Sequence, residues 1–337
     1  MLIKIYNVRN NMQRLISFDI AKSICIILVV IGHYIPDYSP LWYICIHDII
    51  YTFHMPLFMF ASGFIYMATK KDIPYKIFLW KKIKRLLVPY FSVSAIVISI
   101  KLLTETHAYV QNPVTVYSYF KLFYEPEAGA FLWFVWALWW MFVLVPLFKS
   151  KKNRIALFGV TVILHYIPSF LPDFFCLRQF QNMMIFFMLG VVFCDWKDIF
   201  SFLSNISSWL IYCFFAVCEL MYIAGVLEEI VTIILPFIGI SAVMALSNRL
   251  EKWYRDGNGM LMVVASSSYI IYLFHTTFEG FAKAVINKIP CFTDGTNYAL
   301  FIFNILIVVI CGVVCPILLH RYVLDKTHIT KVLFGLK

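Results

Sequence analysis

Five ionisable residues, Asp19, Lys22, His33, His54 and His275, stand inside or at the rims of apolar sequence. Such a group is costly in hydrocarbon, so each is a functional candidate. Successive residues of an α-helix turn by about 100°, and the eleven residues from Lys22 to His33 return to nearly the same face. Asp19, three residues before Lys22, falls near that stripe. One helix face therefore carries an acid–base pair and, about 16 Å further along, an imidazole. An imidazole can take a proton from a hydroxyl or carry a group in transit. The plainer alternative is an ion pair at the membrane rim and an interfacial histidine.

His54 strengthens the chemical reading, because it lies at about the depth of His33 on the next apolar segment. Pro56 follows it and should free the carbonyl of Thr52 from the helix ladder. His275 occupies the same half of a later segment, with Glu279 one turn on, where a carboxylate could fix an imidazole tautomer. An interfacial His–Glu contact is the alternative there. Lys81, Lys82, Lys84 and Arg85 are expected at the start of a helix, where they would suit phosphate groups. A basic cytoplasmic loop explains the same residues without a ligand. Glu219, within another apolar segment, receives no role.

The elements that must position these groups are membrane helices. Of 337 residues, 62% are hydrophobic and 14% charged, with mean hydropathy +0.83, well outside the range of a soluble domain. Ten apolar segments can be marked, at 17–36, 49–69, 84–104, 129–148, 155–171, 179–195, 208–225, 230–247, 260–282 and 299–319. The expected fold is all-α, a polytopic integral membrane protein of about ten transmembrane helices. It forms a single domain over 1–337, with its core at about 14–320. No cleavable signal peptide is expected, since residues 1–13 are polar and the following apolar run has no small-residue cleavage site.

The net charge of +10 raises nucleic-acid binding, but the cations cluster in short runs between apolar segments. With both termini cytoplasmic, 23 of the 28 cationic residues, among them Lys4, Arg9, Arg14, Lys197, Arg255 and Lys337, fall on the internal side. The positive-inside rule favours that topology, and nucleic acid is not an expected partner. Cys25, Cys213, Cys218, Cys311 and Cys315 are expected within helices. Cys45, Cys176 and Cys291 are expected outside them, where they could pair. No metal-ligand spacing occurs. The segment 105–128, with Glu105, His107, Glu125 and Glu127, reads as a solvated connection or a lid. Trp133 suits an interfacial belt, whereas Trp139 and Trp140 should pack between helices.

Together these residues resemble a family. Asp19-Ile20-Ala21-Lys22 followed by Gly32-His33 is similar to the opening of acyltransferase-3 membrane acyltransferases. Residues 53–64, FHMPLFMFASGF, resemble that family's second-helix motif, especially in its O-acetyltransferase branch of fucose 4-O-acetylase-like proteins. Arg85–Tyr90, Leu132-Trp133-Phe134, Phe186–Gly190 and Ser268–His275 follow in the family's order. The resemblance implies ten helices that take an acyl group, usually acetyl, from cytoplasmic acyl-CoA to a hydroxyl of a sugar or glycan. It implies that His33 is central to transfer, that Asp19 and Lys22 form an acidic–basic pair, and that Lys82 and Arg85 lie near the CoA phosphates. Lysine stands at 22 and 82 where the family usually has arginine, which keeps the charge but loses the bidentate fork.

The expected function is thus a membrane O-acyltransferase, with acetyl-CoA or another acyl-CoA as donor substrate and no bound cofactor or metal. Catalytic candidates are His33, Asp19, Lys22, His54 and His275, and the donor's phosphates are assigned to Lys81, Lys82, Lys84 and Arg85. Its thioester arm would reach the outer half, where His33 acts as general base or acyl carrier. Expected partners are acyl-CoA, membrane lipid, and a sugar, lipid-linked oligosaccharide or surface glycan as acceptor. The expected location is a cell membrane, bacterial inner or cytoplasmic, crossed many times. The rival reading is a proton-coupled transporter using intramembrane Asp, Lys and His groups, against which no matching half-sequences occur.

Overall fold

The computed structural model describes residues 15–336 except 37, 106–112, 197–205, 227, 255 and 290–296. His107, Cys291 and the cations Lys4, Arg9, Arg14, Lys197, Arg255 and Lys337 lie outside the described residues. Those described form helices and connections, with no strand among them. The helices, in chain order, are α1 (Ile16–His33), α2 (Leu41–Ala68), α3 (Tyr75–Lys82), α4 (Val88–Thr104) and the single turn α5 (Ser118–Lys121). Then follow α6 (Trp133–Leu144), α7 (Lys151–Tyr166), α8 (Leu177–Asp195), α9 (Ser208–Ile223), α10 (Glu228–Leu250), α11 (Met260–Ile286), α12 (Tyr298–Leu319) and α13 (His328–Leu333).

Each of the ten expected segments is a helix. Eight are long and apolar enough to cross a membrane: Ile16–His33, Leu41–Ala68, Tyr75–Thr104, Ala130–Leu147, Phe174–Asp195, Glu228–Trp253, Met260–Ile286 and Tyr298–Leu324. The other two, α7 and α9, have 16 residues each, short of the ~20 that a span needs. The chain is a multi-pass membrane protein. On α12, Ile302, Phe303, Leu306, Ile310 and Val314 are all exposed, an apolar helix face of the kind that membrane contact covers.

Helix limits follow local chemistry. α1 ends at His33, before an extended Tyr34 and a Pro36 that disfavours helix at Ile35. Ser150 caps α7, its side chain accepting from Asn153 N. α2 starts directly after Pro40, eight residues earlier than the apolar pattern indicates, and so takes in His47 and Asp48. Pro56 does not break it.

The chain forms two compact units, divided after Lys70 and again within α8 and α12. One comprises the described residues up to Lys70 and Leu189–Val314, the other Lys71–Met188 and the residues from Cys315 onward. In the first, α1 packs on α2, α10 and α11, and α10 packs on α2 and α9. Apolar attraction between helices is weak in lipid, so close approach must supply the cohesion. Gly190 shows it: a Cβ there would lie 2.1 Å from the Phe60 carbonyl oxygen. Phe18 stacks on Phe64 nearby, centroids 4.0 Å apart.

In the second unit α3, a π-helical stretch Ile83–Leu87 and α4 run as one helix beside α6. Part of the 105–128 segment is pinned: Lys121 binds Glu127 at 2.9 Å, and the Tyr90 hydroxyl donates to the carbonyl of Leu122 or Glu125. The Trp140 indole N–H donates to the Phe175 carbonyl, as a tryptophan between helices should. Cys45 and Cys176 are free thiols, and Cys45 lies within α2.

Candidate functional site

In the first unit α1, α2 and α11 bring three of the expected histidines to one place. His33 is the last residue of α1, and its ring centroid lies 5.1 Å from that of the fully buried His275 on α11. Tyr51 links them to α2, 6.4 Å from His33 and 4.8 Å from His54. His47, one turn earlier on α2, tilts against Tyr51 at 4.2 Å. Gly32 makes the arrangement possible, since a Cβ there would come 3.1 Å from Tyr51 Cε2. The Gly-His pair thus combines an imidazole with the space for its aromatic neighbour.

Main-chain carbonyls set the two buried rings. His54 Nδ1 donates to Ile50 O at 2.8 Å, and His275 Nδ1 donates to Tyr272 O at 2.8 Å and Ile271 O at 3.1 Å. A carbonyl only accepts, so Nδ1 carries the proton, and in a neutral ring Nε2 is then the basic nitrogen. Both imidazoles therefore present Nε2 as their proton acceptor. The tautomer of His275 is fixed by its own helix rather than by Glu279, as the sequence suggested. Glu279 is buried, and Gly312 of α12 makes room for it, a Cβ there lying 3.0 Å from Oε1.

Asp19 and Lys22 do not join this cluster. They form an ion pair of 2.7 Å near the start of α1. At 1.5 Å per residue they lie about 21 and 16 Å from His33 along the helix. The Ser23 hydroxyl beside them reaches the carbonyl of Leu261, tying that end of α1 to α11.

The basic residues belong to the second unit. Lys82 Nζ lies 3.4 Å above the Phe142 ring, and Lys84 Nζ is 5.3 Å from the Trp80 ring. Lys81, Lys84 and Arg85 are exposed, and among the described residues none of the four pairs with a carboxylate. Their expected place at a helix start is corrected: the helix begins at Tyr75, so they occupy later turns, away from its free N–H groups. The π-helical stretch shifts which face Lys84 and Arg85 present, and such irregularities recur at functional sites.

Sequence reasoning missed Tyr51, His47, Asp48 and Thr52. The early start of α2 puts His47, Tyr51 and His54 on one face at spacings of four and three. A cleft of about 240 Å³ adjoins them, lined by Tyr51 and Thr52 of α2, Tyr222 of α9 and Leu235 of α10. Pro56 has no N–H to give the Thr52 carbonyl, and the Thr52 hydroxyl bonds Glu219 Oε1 at 2.9 Å. Glu219 is 4% exposed, and its Oε2 has no hydrogen-bond partner among the described residues.

A helical membrane protein with imidazoles from distant helices gathered in one place has the makings of a group-transfer protein. The sequence of residues 15–321 matches the acyltransferase domain of the acyltransferase-3 family, and the chain belongs to that family. It is similar to nodulation protein NolL of Sinorhizobium fredii, 29% identical over 181 residues, which are 49% of this chain and 48% of that protein. NolL of Mesorhizobium japonicum is 25% identical over 222 residues, 59% of this chain and 56% of the relative. The chain therefore spans about half the length of the curated relatives it matches. No solved structure matches it.

Proposed function

We propose that the protein is a membrane O-acyltransferase that moves an acyl group, acetyl by preference, from acyl-CoA to a hydroxyl of a sugar or cell-surface glycan. It acts in a bacterial cell membrane with both termini on the cytoplasmic side. The contact between His33 and His275 carries the reading: a family-matched chain sets two proton-accepting rings 5.1 Å apart from helices some 240 positions apart in sequence.

In this mechanism His33 takes the proton of the acceptor hydroxyl as its oxygen attacks the thioester carbonyl. The tetrahedral intermediate collapses, the carbon–sulfur bond breaks, and the departing CoA sulfur takes the proton back from the imidazolium. His275 and His54, each presenting Nε2 as its acceptor, orient His33 and the attacking hydroxyl. The phosphates of the donor are assigned to Lys81, Lys82, Lys84 and Arg85, cations that pair with no carboxylate among the described residues. The Asp19–Lys22 pair, at the other end of α1, lines the donor's path rather than the transfer step.

Purified protein in nanodiscs, given labelled acetyl-CoA and membrane glycans from a strain lacking the gene, tests this. Wild type should add one acetyl increment by mass spectrometry, and His33→Ala should add none while remaining folded by thermal unfolding. Full acetylation by that variant would end the proposal.

A further inference from the structure

Proton transfer among the imidazoles makes no use of the adjoining cleft, yet its lining is specialised. The Thr52 hydroxyl has one proton, taken by Ile49 O at 2.7 Å or Glu219 Oε1 at 2.9 Å, so toward the cleft it offers lone pairs. Thr232 is alike, donating to the carbonyls of Glu228 at 2.8 Å and Glu229 at 3.1 Å. Asp48 accepts from His47 Nδ1 at 3.1 Å and makes no other hydrogen bond among the described residues. Three wall groups are thus acceptors, and the phenols of Tyr51 and Tyr222 add aromatic faces.

His47 lines the cleft too, and the Tyr51 and Tyr222 hydroxyls can donate, but the Asp48 carboxylate in the wall disfavours an anion. The lining suits a neutral ligand whose own hydroxyls donate. The volume of about 240 Å³ lies below the roughly 300–1,000 Å³ typical of drug-sized ligands, so the cleft seats one ring, and the rest of a longer chain would lie outside it. A second observation supports a polar ligand here. Glu219, buried with an unpartnered Oε2, is held against the wall through Thr52, and burying such a group costs free energy that packing alone does not call for. Tyr51 belongs both to the cleft and to the imidazole cluster, so a ligand resting on it lies beside the proposed base.

We propose that this cleft is the acceptor subsite and takes a single neutral polyhydroxylated ring, a glycosyl unit whose hydroxyls donate to Asp48, Thr52 and Thr232. The assignment rests on the acyl-transfer reading above. Saturation-transfer NMR on the detergent-solubilised full chain, with methyl glycosides of glucose, mannose and fucose as probes, tests it. Acetyl-CoA turnover is measured on the same samples. Thr232 is exposed, so Thr232→Phe fills the cleft without disturbing the core; Asp48→Asn is the second variant.

At least one glycoside should give signal with wild type. Thr232→Phe should cut it at least tenfold and Asp48→Asn should weaken it, both leaving CoA binding unchanged. Undiminished glycoside binding to Thr232→Phe refutes the subsite while leaving acyl transfer intact. So does a wild type that acetylates membrane glycans yet binds a methyl glucosaminide, a cation, in place of the neutral rings. No acetyl-CoA turnover by wild type, with glycoside binding lost in Thr232→Phe, sinks the transfer reading and leaves the cleft as a sugar site.

Discussion

Two imidazoles in contact that act on one proton should not behave as independent contributors. The perturbation is His33→Ala, His275→Asn and the pair together. Asparagine at 275 keeps an N–H where Nδ1 now donates to Ile271 and Tyr272, and removes only the outer half of the ring with Nε2. Fold stability should fall by about 1 kcal/mol, the cost of a small cavity. Loss of a general base costs about 10²–10⁴ in rate, or about 2.7–5.4 kcal/mol at 1.36 kcal/mol per decade. Independent sites would multiply, giving about 10⁴–10⁸ for the double variant. With the rings 5.1 Å apart, the double should instead lose no more than about threefold beyond the worse single, as members of a catalytic unit do. Single-turnover CoA-thiol release in nanodiscs measures all four proteins. Losses that multiply, or His275→Asn retaining more than about a third of wild-type rate, would refute the shared-proton argument.

Three further outcomes follow from particular contacts. Lys84→Ala with Arg85→Ala removes two exposed cations, each charge-assisted bond being worth about 1.5–3 kcal/mol, so KM for acetyl-CoA should rise at least tenfold. A truncated thioester without the nucleotide phosphates should be unaffected, and equal losses with both donors would count against phosphate binding there. Gly190→Ala forces a Cβ into the Phe60 carbonyl and should lower the thermal midpoint in detergent by several degrees, whereas Gly159→Ala, with nothing within 4 Å, should not. Indistinguishable midpoints would mean that α8 does not depend on that approach. The Glu127 carboxylate raises the Lys121 ammonium above its usual 10.5, so the pair's small stabilisation is complete below that pH and is lost as pH rises through the folded value. Glu127→Gln should flatten this alkaline dependence in a thermal-shift series, and an unchanged slope would assign it elsewhere.

The fold was legible because an apolar run of span length has few alternatives, and all ten marked segments became helices. Their ends were less legible. The apolar pattern of α2 begins at Ile49, but the helix starts at Leu41, directly after an extended Pro40. That shift hid His47 and Asp48, which looked like loop residues. It also hid their register with His54. The start of α3 at Tyr75 was hidden in the same way, because Tyr75–Lys82 mixes apolar and basic residues and has no clear amphipathic period.

The site was legible to the extent that its members are expensive in lipid. His33, His54 and His275 stand out of apolar sequence because nothing about packing asks for an imidazole there. Tyr51, Thr52 and Tyr222 do not stand out, since tyrosine and threonine are ordinary in membrane helices. Their relevance comes only from sharing a wall, which no spacing within one helix reveals. Asp19 and Lys22 show the converse: a common stripe on α1 puts groups on one face but not at one depth. A helix transmits direction along its axis and spreads residues at about 1.5 Å per step, so only contacts between helices can decide which polar groups react together. By that criterion His33 meets His275 and not Lys22, and Gly32, which admits Tyr51, contributes to the centre as much as the polar residue beside it.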